Sequence, residues 1–175
     1  MPAVQPPARE ALARATRSAV HLEMRDHYML DDPAFLQWQQ GQRLNAVDHS
    51  SWWGPWHTHV RDAAARGVTV RRARIVSEPV HDYIRYEHDL TPANIIAGEQ
   101  VRWLPRRQTM GLALPGTDFW LFDGQHALFH HFTGDGQLAE DGREYTDDPA
   151  LVTLCAAAFE AAWERGIPHN EYRLI

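Results

Sequence analysis

The stretch "LPGTDFWLFDGQHALFHHF", residues 114–132, gathers two aspartates, three histidines and five aromatic residues around one Asp-Gly pair. It reads either as an active site or as a hairpin through a core. Phe119, Trp120, Leu121 and Phe122 are apolar at every position, which fits a central strand covered on both faces. Asp123-Gly124 is a strong hairpin signal, because both residues tolerate the positive φ that tight turns need. "HALFHHF" is then the returning strand. On it His126 and His130 share a face and His131 points the other way. At most two of the three converge, too few for a zinc site unaided. Asp118 and Asp123 stand at opposite ends of a strand roughly 17 Å long, too far apart to act as a carboxylate pair. Asp123 reads as a turn residue and Asp118 as a polar contact at a strand end. The stretch is therefore a core hairpin with polar ends.

The flanking segments extend the pattern. Residues 1–7 carry three prolines and are expected to be disordered, leaving 8–175 as one α/β domain. "AREALARATR" reads as a short helix. In "AVHLEMRD", Val20, Leu22 and Met24 alternate as on a strand. Asp32 and Pro33 open a helix that Gly41 stops. Residues 50–66 read as a helix ending at Gly67, and residues 68–76 as a strand. "EPVHDYIRYEHDLTPANIIAGE" is helical or irregular, with a break expected near Thr91-Pro92. "QVRWLP" is a short strand. Residues 149–165 form the clearest helix, capped by Asp147 or Asp148, with a stripe from Leu151 to Trp163. Cys155 falls on that stripe as a small buried residue. Strands separated by helices predict a mixed or largely parallel sheet of about five strands, with helices on its faces.

Composition excludes several chemistries. The net charge of −6 provides no global field for nucleic acid or anionic membranes. Together with the lack of a DNA-reading motif, it argues against direct nucleic-acid binding. No apolar run is long enough to span a bilayer, and the N-terminus has no secretory h-region. With one cysteine there is no internal disulfide, so a cytoplasmic setting is expected. All 17 basic residues are arginine. Without lysine there is no Schiff base, no Walker-type phosphate loop and no lysine-assisted nucleophile.

The segments "ARGVTVRRARIVSEP", "AGEQVRWLPR" and "DFWLFDGQHALF" together resemble half of a phospholipase D-like domain. Aligning that family's Asp-Gly on Asp123-Gly124 puts its nucleophilic His at Gly116 and its phosphate-binding Lys at Asp118. The resemblance thus implies the fold without the parent phosphodiesterase chemistry. A wider resemblance rests on "HLEMRD", "SWWGPW", "RRARIVSEPVHDYIRYEHDLTPANIIAGEQVRWLPRR", "DFWLFD" and "CAAAFEAAWERGIPHNEYR". These are similar to a family of uncharacterised small actinobacterial proteins, often encoded beside helix-turn-helix regulators. It implies a regulatory setting and such a regulator as a partner, but no mechanism.

Arg71, Arg72, Arg74, Arg102, Arg106 and Arg107 lie in or just after adjacent strands, with Glu78, Asp82, Glu87 and Asp89 as candidate ion partners. Trp52, Trp53 and Trp56 are expected mainly to pack in the core, with an aromatic ligand wall as the alternative. Open α/β sheets place their crevice beyond the C-terminal strand ends. There Arg25, Arg85 and Arg106 are expected to surround an anionic ligand, with Glu78 positioning one of them. Ser77, Tyr83 and Asp118 would add polar contacts. The function expected is a non-catalytic regulatory or sensory domain that binds a small anionic ligand or a partner regulator. The alternative is a small hydrolase or biosynthetic enzyme using histidine and carboxylate as acid and base. No metal or cofactor is assigned, and a homodimer is left open.

Overall fold

The computed structural model describes residues 7–45 and 47–175. The stretch expected to be disordered lies outside the described residues, apart from Pro7, which caps the first helix. In chain order the elements are α1 (Ala8–Arg14), β1 (Ser18–Glu23), α2 (Pro33–Gln39), α3 (Pro55–Ala65), β2 (Thr69–Val76), α4 (Asp82–Ala97), β3 (Glu99–Pro105), β4 (Phe119–Phe122), β5 (His126–Phe132), β6 (Leu138–Thr146), α5 (Pro149–Arg165) and β7 (Ile167–Pro168). All strands join one sheet in the order β6-β5-β4-β1-β2-β3-β7. The strands β1, β2 and β3 run parallel, and the remaining pairings are antiparallel.

The mixed α/β architecture matches the expectation, but the sheet has seven strands and not about five. Two strands carried no readable pattern. In β6, "LAEDGREYT", only Gly142 is fully buried, because this edge strand has one neighbour and water beyond it. The edge strand β7 is two residues long. The helix expected over 50–66 begins only at Pro55, preceded by a 3₁₀ turn at His49–Ser51. Gly54 there donates its N–H to His57 Nδ1 at 3.0 Å. The break expected at Thr91-Pro92 is absent, and α4 runs through it. One turn earlier the Glu87 carbonyl accepts from Thr91 Oγ1 at 2.7 Å and Arg74 Nη1 at 3.2 Å. Burial of α4 against the sheet outweighs the proline's local cost.

The hairpin is as read. All four residues of β4 are buried, and Asp123 adopts φ 53° ahead of Gly124. Asp123 also does more than turn the chain. Its carboxylate accepts backbone N–H bonds from Thr16 (3.0 Å), Arg17 (2.7 Å) and Ser18 (3.0 Å), fixing the entry to β1. Those donors, working against a burial penalty, pull its pKa down to about 2.

The helix α5 covers one face of the sheet. Val20, Leu22, Ala73, Ile75, Leu104, Phe119 and Leu121 meet Cys155, Ala158, Phe159 and Ala162 there. Cys155 is buried as expected, which pushes its thiol up to about 11. The opposite face packs under α1, α3 and α4 in two apolar clusters, one around Trp120, Phe122 and Leu128 and the other around Trp103, Tyr83 and Phe35. Between these clusters the sheet face is polar.

Candidate functional site

The polar band follows from strand alternation. On β1, Val20 and Leu22 face α5, so His21 and Glu23 face the other helices. On β2 the same parity separates Arg71 from Arg72 and Arg74. Register then makes His21 the neighbour of Arg72 and Glu23 the neighbour of Arg74. On the other side of β1, His21 pairs with Trp120.

The charges interlock. Arg72 binds Glu99 through Nε at 2.6 Å and Glu23 through Nη1 at 2.5 Å. Arg74 binds the other Glu23 oxygen through Nε at 2.5 Å, and its Nη2 lies 2.5 Å from Glu87. Asn94 donates to the free Glu99 oxygen at 3.0 Å. Glu99 is 1% exposed and Arg74 4%. Burial disfavours the charged Glu23, but the two guanidiniums dominate and hold it far below the usual carboxylate range.

His21 sits beside this network without joining it. Its ring stacks on Trp120 with centroids 4.2 Å apart. The approach of Nδ1 to Glu23 is 3.4 Å, yet among the described residues neither ring nitrogen has a hydrogen-bond partner. Burial, reinforced by the Arg72 charge, holds His21 neutral, well below the ordinary imidazole range, although Glu23 pulls the other way. Trp56 Nε1 is likewise buried and unpartnered.

These residues line a cleft of about 310 Å³ between the sheet and the helices α3 and α4, walled by His21, Trp56, Arg72, Glu87, Asn94 and Trp120 among others. A second chamber of about 380 Å³ adjoins it, lined by Trp38, Arg43, Trp52 and Tyr86, and shares Trp56, Leu90 and Asn94 with the first. Trp52, Trp53 and Trp56 were expected in the core. All three are half-buried: Trp53 and Trp56 pack against the apolar cluster around Trp120, as expected, while Trp52 and Trp56 also wall the two chambers. His49, Trp52, Trp53 and His57 meet in tilted and edge-on ring contacts beside the second chamber, which Trp52 and His57 line.

The residues expected to form an anion crevice are only partly brought together. Arg106 donates to Ser77 Oγ (2.9 Å) and to the Met24 carbonyl (2.5 Å), with Asp26 at 3.4 Å. It clamps the C-terminal ends of β1 and β2 to the end of β3. Asp26 in turn accepts from Ser77 N and Oγ, each at 2.7 Å. Arg25 lies over Phe132, 5.1 Å from the ring centroid. Its backbone N–H meets the Tyr28 hydroxyl, which donates to Asp118. Tyr83 turns inward to Glu87 at 2.9 Å. Glu78 holds no arginine and accepts from Tyr172 at 2.8 Å. Arg85 stays on the surface, 3.8 Å from Asp82. Three guanidiniums around one point are thus not found. Strand order placed Ser77 with Arg106 correctly, but side-chain direction on α4 sends Tyr83 and Arg85 to different surroundings.

Of the expected ion partners, Glu87 pairs with Arg74, Asp82 with Arg85 and Asp89 with Arg43. Arg71 faces α5 and pairs with Glu160 at 2.6 Å, and Arg102 donates to the Trp163 carbonyl at 2.8 Å. The principal counterions of the band are Glu23 and Glu99, whose meeting with Arg72 and Arg74 depends on strand pairing that no single segment reveals. Their legible signal was the parity of β1 and β2. Among the described residues, no group of three or more His, Cys, Asp or Glu is placed to hold a metal ion. No helix there is long and apolar enough to cross a membrane.

Asp118 is a strand-end contact, as expected. It accepts from Met24 N at 2.8 Å and from Tyr28, and burial lifts its pKa to about 7, with Glu23 adding to the rise. A raised carboxyl pKa means that the folded state binds a proton the unfolded chain releases. Stability from this group is therefore complete below about pH 4 and is lost as pH rises towards 7. Asp118→Asn should gain on the parent by on the order of 2–4 kcal/mol between those limits. His130, pushed down to about 4 mainly by burial, acts with the opposite sign in both proteins. The informative quantity is the difference between variant and parent in denaturant unfolding at pH 4.5 and 7.5. A pH-independent difference would refute the assignment.

The mixed α/β fold is similar to that of a phospholipase D family member. Nuc from Salmonella typhimurium, a phospholipase D family member, superposes with a TM-score of 0.51 at 12% identity, covering 94% of this chain and 88% of Nuc. The likeness concerns the fold. TrmBL2, an archaeal chromatin protein whose structure shows a novel mode of DNA binding, matches with a TM-score of 0.47 at 14% identity. That match covers 91% of this chain but only 48% of TrmBL2, so the chain spans about half of that protein's length. No curated protein matches in sequence. The chain itself belongs to the domain family of unknown function DUF6879, whose model matches residues 7–174.

Proposed function

We propose that this domain is a non-catalytic, sensory ligand-binding module, with the cleft over His21 as its binding site. The observation that carries this reading is the pair of orphaned polar groups in the cleft wall: both ring nitrogens of His21 and the indole N–H of Trp56. A buried polar group without a partner costs about 1–3 kcal/mol, and native structures rarely tolerate several together. A ligand that bonds them repays that cost. Trp56 and Trp120 give this otherwise polar cleft an aromatic wall on which a guest can stack.

Acid–base catalysis is less well supported. The carboxylate nearest His21 is Glu23, which is occupied by Arg72 and Arg74 and held ionised. Glu23 therefore cannot serve as a base beside the neutral His21 without breaking an arginine contact. The phospholipase D-like fold lends no chemistry either, since Gly116 and Asp118 stand where that family's His and Lys align.

The test is a small-fragment screen by thermal shift, run in parallel on the parent and on Leu90→Trp. Leu90 lines both chambers, so an indole there should obstruct them. Fragments that stabilise the parent should lose most of their effect in the variant. If the hits stabilise both proteins equally, or none stabilises the parent, the cleft is not the site.

A further inference from the structure

We infer that the ligand is an uncharged flat ring bearing a carbonyl oxygen, held in the chamber over His21, with a second aromatic or apolar part in the adjoining one. This rests on the ligand-binding reading above and adds the ligand's charge, hydrogen-bonding character and shape.

Charge comes first. Around the chamber over His21, Arg72 and Arg74 carry two positive charges, and Glu23, Glu87 and Glu99 carry three negative ones. With His21 neutral the balance is one formal negative charge. A buried anion would add a second, at a cost that a low-dielectric setting magnifies. A cation would suit the balance, but the aromatic faces that would hold it already receive guanidiniums. Arg72 lies 6.0 Å from the Trp56 centroid and 5.7 Å from that of Trp120, and Arg43 lies 4.6 Å from that of Trp38. An uncharged guest avoids both penalties.

Hydrogen bonding comes second. The unused groups are mostly donors. Trp56 offers only an N–H. Arg72 uses Nε and Nη1 on Glu99 and Glu23, while Nη2 makes no hydrogen bond among the described residues. Neutral His21 contributes one donor and one acceptor. Three donors against one acceptor suit a ring with a carbonyl oxygen and an adjacent N–H, the pattern of a cyclic amide or a pyrimidine base.

Shape comes third. About 310 Å³ over His21 holds a ring with its substituents, since about 150 Å³ already takes a benzene ring, and the adjoining chamber presents Trp38, Trp52 and Tyr86, with Trp56 on the shared wall. A guest filling both chambers has a polar head and a stackable body.

The probes are uracil (neutral, carbonyl-bearing), benzoate (anionic) and benzamidine (cationic), each titrated to millimolar concentration into the full ¹⁵N-labelled chain. The Trp56 indole N–H signal is identified by its loss in Trp56→Phe, a variant that keeps an aromatic wall. Uracil should move that signal downfield and bind about threefold to tenfold more weakly to Trp56→Phe, the cost of one neutral hydrogen bond. Benzoate and benzamidine should leave it in place. If either charged probe shifts it more than uracil does, the ligand class is wrong while the cleft stands as a binding site. If none of the three shifts it, this inference fails, and the parallel fragment screen on Leu90→Trp decides separately whether the cleft binds anything.

Discussion

Replacing Glu23 with glutamine is expected to destabilise the domain by about 3–5 kcal/mol. Both Glu23 oxygens are committed, one to Arg72 and one to Arg74, and both arginines lie beneath helices. Glutamine keeps the volume and offers one carbonyl oxygen, but its amide nitrogen would face a guanidinium as donor against donor. Two buried cations would then rely on Glu87 and Glu99 alone. Removing one partner from a buried pair is much costlier than the pair is worth, because the remaining charge stays desolvated. Against a typical total stability of about 5–15 kcal/mol, the variant should melt at a clearly lower temperature or fail to accumulate folded. The double variant Glu23→Gln/Arg74→Met should recover part of the loss. Denaturant unfolding of the three proteins tests this, and a Glu23→Gln variant within about 1 kcal/mol of the parent would show that the band is hydrated and not buried.

Trp120→Ala is the second large effect, expected at about 3–5 kcal/mol. Trp120 is 2% exposed. Its indole stacks on Phe122 at 5.7 Å and on His21 at 4.2 Å, and meets Trp56 edge-on at 5.3 Å. Truncation leaves a void in the cluster under α1 and α3 and removes the surface that orients His21. Stability and binding should therefore fall together, whereas Trp56→Phe should affect binding with little change in melting temperature. A cooperatively folding Trp120→Ala protein of near-parent stability would mean that β4 is not central to the sheet.

The β4–β5 hairpin, its turn and the helix α5 were legible because each carries a strong local signal: an unbroken apolar run, an Asp-Gly pair and a 3.6-residue stripe. The edge strand β6 was not, since polar residues suit a strand exposed to water and mimic a loop. The candidate site was harder still. Its residues come from β1, β2, α3, α4, β3 and β4, and nothing in any one segment says that they meet. Alternation alone put His21 and Glu23 on one face, but identifying that face as a cleft floor needed the pairing of β1 with β2. The tryptophans of "SWWGPW" were visible as a cluster, yet whether such a cluster is core or wall depends on what packs over it. The anion crevice failed for a related reason. Arginines at strand ends are visible in sequence, and the carbonyls and carboxylates that already satisfy them are not.

The position of β1 bears on how the chain is made. Of the strands in this sheet β1 is made first; it lies between β2 and β4, and its entry is fixed by Asp123, about a hundred residues later. A nascent chain that has reached only α4 has Glu23, Arg72 and Arg74 but lacks Glu99, Trp120 and the carboxylate that holds residues 16–18. Such long-range closure slows folding, and an unfinished sheet leaves β1 with an open edge that another chain can occupy. The ribosome therefore has to deliver the hairpin before the oldest strand has both of its neighbours.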